Sequence, residues 1–217
     1  MPSKYAITLS EIAAEAIEQF TVRNGYREQA LAISREVIRF SANAIRTVHR
    51  GQFDEARGII DQAAARLKET ETIRKDNPEI YFAGFLADAR KEFSEANITL
   101  AVISGSNIPR HTDLGIDPSS FLNGMAEVIG EVRRYIPDAL RRDSFEGCQD
   151  MMDVMDEIYG ILVAVDFPEG VTGGLRHSTD QMRGVLERTR GDLTMALRQS
   201  KLEIQLAQWE DRRLNTP

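Results

Sequence analysis

One cysteine, three histidines and the lack of any long apolar run narrow the options for this 217-residue chain before a motif is read. Cys148 on its own excludes an intrachain disulfide and fits a reducing compartment. The longest apolar stretch of note, residues 158–165, falls far short of the about 20 residues that a membrane-spanning helix needs. Glutamates interrupt the N-terminal stretch where a signal peptide would carry an unbroken apolar core, so a cytoplasmic protein is expected. Positive charge is not in excess either. A formal net charge of -7 argues against nucleic-acid binding over the whole surface. A local basic groove stays open, because only residues that touch phosphate contribute to that attraction. No segment alternates apolar and polar residues for long enough to make a strand.

What the chain does have is helical periodicity, with 42% hydrophobic and 28% charged residues, as in an ordinary soluble globular protein. The spacing predicts a first helix over about 9–21, closed by Asn24-Gly25, and a second over about 26–50, stopped by Gly51. A third, about 54–75, ends before Asn77-Pro78, where proline disfavours helix in the preceding residue. The fourth spans about 79–103 and ends at Gly105. After the loop SGSNIPRHTDLGI, Asp117 caps and Pro118 opens a fifth helix that runs to about 142, with a kink at Pro137. A sixth covers about 144–165. The last, after FPEGVTGG with Thr172 as cap, extends from about 175 towards 213. Short links and the absence of repeats or composition shifts predict one all-α domain over 1–217. Its long helices have apolar faces wide enough to invite packing between subunits.

Four glutamates stand out as two spaced pairs. Glu92 and Glu95 lie in ADARKEFSEANITL, and Glu127 and Glu131 in FLNGMAEVIGEVRR. Residues three or four apart share a helix face, so each pair aims its carboxylates the same way. Spacing alone decides nothing, because Glu15 with Glu18 and Asp153 with Asp156 offer the same geometry. The neighbours are more telling: Phe121, Val128, Ile129 and Val132 surround one pair, Phe85, Phe93 and Ala96 the other. A buried carboxylate is costly unless it is paired or bound to a cation. Gly124, on the face of Glu127, would let another backbone come close. Two partners then stay open: a divalent metal, or salt bridges from Arg90, Lys91, Arg133 and Arg134. An all-carboxylate set selects hard ions such as Mg²⁺ or Mn²⁺. No histidine falls within either cluster in sequence, which argues against zinc, and Cys148 and the serines have no suggestively placed histidine for nucleophilic catalysis.

A second feature is basic. Arg35, Arg39, Arg46, His49 and Arg50 share one helical sector opposite Ile33, Val37, Phe40, Ala44 and Val48, with Glu36 as the one acid at its margin. A row of arginines suits phosphate contacts, and it equally suits a solvated face. The glycine-rich turn before the last helix lacks the Lys-Ser/Thr ending of a P-loop and follows no strand, so it reads as a tight connection.

The segment LGIDPSSFLNGMAEVIGEVRR resembles the signature region of the translin family, and DFPEGVTGGLRHSTDQMRGVLERTRGDLTMALR is similar to the tail of its prokaryotic branch. ARKEFSEA resembles the acidic helix of the factor X-type members. The resemblance implies a bundle of about seven antiparallel α-helices that assembles into a closed octameric shell and binds single-stranded RNA or DNA. It further implies a Mg²⁺-dependent (or Mn²⁺-dependent) endoribonuclease, because the factor X acidic motif carries over onto Glu92, Glu95, Glu127 and Glu131 as metal-binding and catalytic residues. Glu127 stands where factor X has aspartate, and IYFAGFLADAR replaces a basic segment of translin. That replacement leaves the family's nucleic-acid contacts open, and the basic stripe supplies the expected ones: Arg35, Arg39, Arg46 and Arg50, with Arg133 and Arg134 close to the site. A non-catalytic RNA/DNA-binding shell is the alternative reading. The expected assembly is a homo-oligomer.

Overall fold

A computed structural model describes residues 3–142, 145 and 147–214, and every regular element among them is a helix. The first, α1 (Ala6–His49), runs unbroken for 44 residues through Asn24-Gly25, where the sequence signalled a turn. Glycine costs a helix only about 1 kcal/mol relative to alanine. Tertiary contacts flank the position on both sides: Arg23 pairs with Glu79, and the Tyr26 hydroxyl donates to Asp76 at 3.1 Å.

The expected third helix is jointed into α2 (Phe53–Lys68) and α3 (Thr70–Asp76). At the joint the Thr70 hydroxyl donates to the Leu67 carbonyl at 2.6 Å. The expected fourth helix is likewise split, into α4 (Pro78–Tyr81) and α5 (Gly84–Ser104), with Ala83 extended between them. Arg90 explains the split. Its Nη1 donates to the Tyr81 carbonyl at 3.1 Å, and its guanidinium lies 4.6 Å from the Tyr81 ring centre. A single turn, α6 (His111–Leu114), interrupts the next loop.

Helix α7 (Pro118–Leu140) begins as the sequence implied, with Asp117 Oδ1 accepting from the Ser120 amide at 2.8 Å and Pro137 inside its last turns. Helix α8 (Cys148–Ala164) follows; its expected start near Ser144 lies outside the described residues. The short α9 (Glu169–Thr172) precedes α10 (Leu175–Leu214). Thr172 therefore closes α9 rather than capping α10, and its carbonyl accepts from Asn123 Nδ2 at 2.7 Å. That contact ties the glycine-rich turn to α7.

Helix α1 packs on α2 and α5, α5 packs on α7, and α7 and α8 both pack on α10. The buried apolar residues from α1 to α10 form one connected cluster. The central pair is α5 and α7, and their crossing is set by Gly124. A Cβ there would lie 2.5 Å from the Lys91 carbonyl oxygen and 2.7 Å from Ser94 Cβ, so only glycine permits the approach. One turn from that crossing lie the glutamates.

Both long helices also project beyond this core. The first half of α1 leaves Leu9, Ile12, Ile17 and Phe20 exposed on one stripe, Phe20 by 67%. The last half of α10 exposes Met195, Leu202, Leu206 and Trp209 at similar spacing, Trp209 by 59%. No helix among the described residues is long and apolar enough to cross a membrane.

Candidate metal centre

Residues 93–102 of α5 are buried without interruption, so the face that carries Glu95 is drawn into the bundle. Glu95 is only 7% exposed, while Glu92 and Glu127 are half-buried. Ligand atoms from Glu92, Glu95 and Glu127 lie within 4.8 Å of one another, an all-oxygen set drawn from two helices. Like charges this close penalise one another. Burial, then the charges of Glu127, Glu92 and Glu131, push the Glu95 pKa up to about 9, so at neutral pH it holds a proton. Burial and the Glu127 charge raise Glu92 as well.

Of the four cations that could have neutralised these acids, Lys91 meets Glu92 and Glu127, and Arg134 reaches only Glu131. Lys91 Nζ lies 2.7 Å from Glu127 Oε1 and 3.8 Å from Glu92 Oε1. Burial opposes its charge, but the hydrogen bond to Glu127 and the surrounding carboxylates outweigh that and raise its pKa. Arg90, 3% exposed, faces the other way and pairs with Asp117 at 2.9 Å. Arg133 reaches Asp192 on α10 at 2.6 Å. Arg134 is exposed and lies 3.8 Å from Glu131.

Glu131 occupies a different position from the other three. It is near enough to raise the Glu95 pKa, but its Oε2 lies 2.5 Å from His49 Nε2. This corrects two expectations: His49 is not part of the basic stripe, and a histidine does join the acidic residues. Its side chain is only 6% exposed, at the edge where the apolar face of α1 meets the polar one. Nothing in the sequence links residues 82 positions apart, so spacing could not have found the contact. A buried imidazole hydrogen-bonded to a carboxylate fixes that group's orientation. His49→Ala is expected to weaken Mn²⁺ binding by about 10- to 100-fold in calorimetry. Unchanged affinity would reduce His49 to a packing residue.

Arg35, Arg39, Arg46 and Arg50 are all exposed, and among the described residues none of them forms an ion pair. Arg46 donates to Asn43 at 2.6 Å, and Arg50 to Gln52 at 2.6 Å and Thr47 at 2.9 Å. The acid at the margin, Glu36, is held by Arg66 at 2.5 Å. Arg50 and His49 share the wall of a cavity of about 490 Å³ with Tyr135 and Arg142, and His49 is the residue of that wall that bonds Glu131.

No family model matches the chain. Among solved structures, it superimposes on AfC3PO in a complex with duplex RNA with a TM-score of 0.78. The two are 32% identical, over 94% of this chain and 99% of that one. The chain belongs to the translin family. A crystal structure of AfC3PO alone matches this translin-family chain with a TM-score of 0.78 and 33% identity, over 85% of this chain and 96% of that one. Apo-NeC3PO, 17% identical with a TM-score of 0.76 over 85% of this chain and 96% of that one, shares the fold. In sequence, the chain is 28% identical to an uncharacterized protein of Methanocaldococcus jannaschii, over 94% of this chain and 90% of the relative. The all-α translin-like fold expected from the sequence is the one observed.

Proposed function

We propose that the chain is an RNA-binding, metal-dependent endoribonuclease that works as a homo-oligomeric shell. Glu92, Glu95 and Glu127 hold the metal, Glu131 completes the set under the control of His49, and these four are the catalytic residues. One observation carries the reading: three carboxylates from two helices converge, with ligand atoms within 4.8 Å of one another. Such a site is under-charged for its ligands, and a divalent cation relieves the repulsion that the Glu95 proton and Lys91 now relieve. The donors fit Mg²⁺ or Mn²⁺, since all are carboxylate oxygens and no sulfur or imidazole is among the three. A cation bound there supplies Lewis acidity to a phosphodiester and a water of lowered pKa.

The protein's own part is positioning. Gly124 holds the two acidic helices at contact distance. His49 fixes Glu131. Arg35, Arg39, Arg46 and Arg50 run along the strand's phosphates, which orient a nucleic acid without reading its bases. Arg134 acts near the site, whereas Arg133 is already engaged by Asp192 and serves the α7–α10 contact. The AfC3PO complex with duplex RNA supports RNA as the substrate class. The exposed stripes of α1 and α10 support assembly, and the octamer implied by the family would bury them between copies.

A second reading has an observation of its own. Lys91 and the Glu95 proton offset two of the three carboxylate charges without a metal, as a purely RNA- or DNA-binding shell would need. End-labelled single-stranded and duplex RNA, incubated with Mg²⁺ or with EDTA, separates the two. The nuclease cleaves with Mg²⁺, stops in EDTA, and is inactive as Glu127→Ala although the oligomer persists. Binding that survives EDTA and the substitution, without cleavage under any metal, would establish the shell instead.

A further inference from the structure

Beside Glu127 lies a second feature. A cavity of about 260 Å³ is walled by Asp88 and Lys91 of α5, Ser119, Asn123 and Glu127 of α7, and the start of α10 at His177 and Ser178. Glu127 and Lys91 thus belong both to the acidic cluster and to this cavity. We propose that the cavity is a phosphate subsite for the strand, seating the phosphodiester next to the scissile one. This rests on the nuclease reading for its place in a reaction, though not for its binding chemistry.

The wall carries several hydrogen-bonding side chains, and the fold leaves part of their capacity unused. Ser119 Oγ makes no hydrogen bond among the described residues and stands at the mouth of the glycine turn, where a Cβ on Gly173 would come within 2.7 Å of it. Ser178 donates weakly to Asn123 Oδ1, at 3.3 Å. His177 is exposed, with Gln181 2.9 Å from its Nε2. Lys91 has three ammonium protons, one on Glu127 at 2.7 Å and one facing Glu92 at 3.8 Å, which leaves a third for a ligand. Asn123 is spoken for: its amide donates to the Ser119 and Thr172 carbonyls at 3.0 and 2.7 Å, so it builds the wall rather than reading the ligand.

Two carboxylates, Asp88 and Glu127, face the same space and repel an anion. The subsite is therefore weak while Lys91 is committed to Glu127 and strong once the acidic cluster is neutralised. Phosphate and divalent cation should then bind with positive coupling, each strengthening the other.

The probe is adenosine 5′-monophosphate, titrated calorimetrically into the full chain with and without Mn²⁺, followed by a crystal soak. Binding is expected to tighten at least about tenfold in Mn²⁺, with the phosphate seated between Lys91, Ser119 and His177. Ser119→Ala and His177→Ala should each weaken it about ten- to a hundredfold, the effect of one lost hydrogen bond to a charged group, with Mn²⁺ affinity within twofold of the parent. Lys91→Met should weaken it further while thermal melting confirms the fold. Affinity indifferent to all three substitutions, or a phosphate seated elsewhere, overturns the subsite. Nucleotide bound as described by a protein that never cleaves RNA would remove the nuclease reading and leave the subsite standing.

Discussion

Glu95→Gln is expected to lower divalent-cation affinity by more than about a hundredfold, since even partners one shell out from a metal are worth 10- to 100-fold. The same substitution should change how the cation-free protein responds to pH. Burial and the charges of Glu127, Glu92 and Glu131 lift the Glu95 pKa from an ordinary 4.5 to about 9. Between those values the folded chain keeps a proton that the unfolded chain has lost. Stability attributable to this group is therefore full below pH 4.5 and is lost as pH rises to about 9, by up to about 1.4 kcal/mol per pH unit. Glutamine has no proton to surrender. In EDTA, the melting temperature of the parent should fall across this range relative to that of the variant. With saturating Mn²⁺ the parent should be protected, and calorimetry in buffers of different ionisation enthalpy should register a proton released per cation bound near pH 7. Parallel pH profiles for parent and variant would mean that Glu95 is not held in its neutral form by the cluster.

Placing Asp at both Ile17 and Phe20 should disassemble the homo-oligomer proposed above while leaving the acidic cluster intact. An unsupported helical arm of this length is marginal in water. Yet the first half of α1 carries Leu9, Ile12, Ile17 and Phe20 on one exposed stripe, and the last half of α10 carries Leu202, Leu206 and Trp209. Burying each such side chain contributes roughly 1.5–3 kcal/mol. Losing two per interface lowers the association constant by about a hundredfold or more. Sedimentation velocity should then show a species near the 24.4 kDa of the single chain that still binds Mn²⁺. An assembly unmoved by the two aspartates would place its interface elsewhere on the molecule.

The sequence made the helix boundaries legible where a local chemical rule applied. Asp117-Pro118 starts α7 through a cap that the side chain does form, and Gly105 closes α5 in the left-handed conformation. It misled where distant residues intervene. Asn24-Gly25 looks like a turn, but the helix runs through it, flanked on either side by contacts to Glu79 and Asp76, far along the chain. The break at Ala83 is invisible locally, because Arg90 on the following helix captures the carbonyl of Tyr81.

The site divides in the same way. Glu92, Glu95 and Glu127 could be singled out because acids at helical spacing among Phe93, Val128 and Ile129 have to be turned inward. Which cation met them could not be read. Lys91, rather than Arg90 or Arg133, is the neighbour, and that depends on the rotation of α5 about its own axis. His49 was beyond reach for a related reason: at the border of two faces, one small rotation separates a surface histidine from one bonded to Glu131.

The most direct test is anomalous scattering from a crystal of this protein grown with Mn²⁺. The account predicts a peak at bonding distance from the carboxylates of Glu92, Glu95 and Glu127, with Lys91 withdrawn from Glu127 and Glu131 still held by His49. A map with no peak between α5 and α7 at saturating Mn²⁺, and Lys91 still bonded to Glu127, would contradict it.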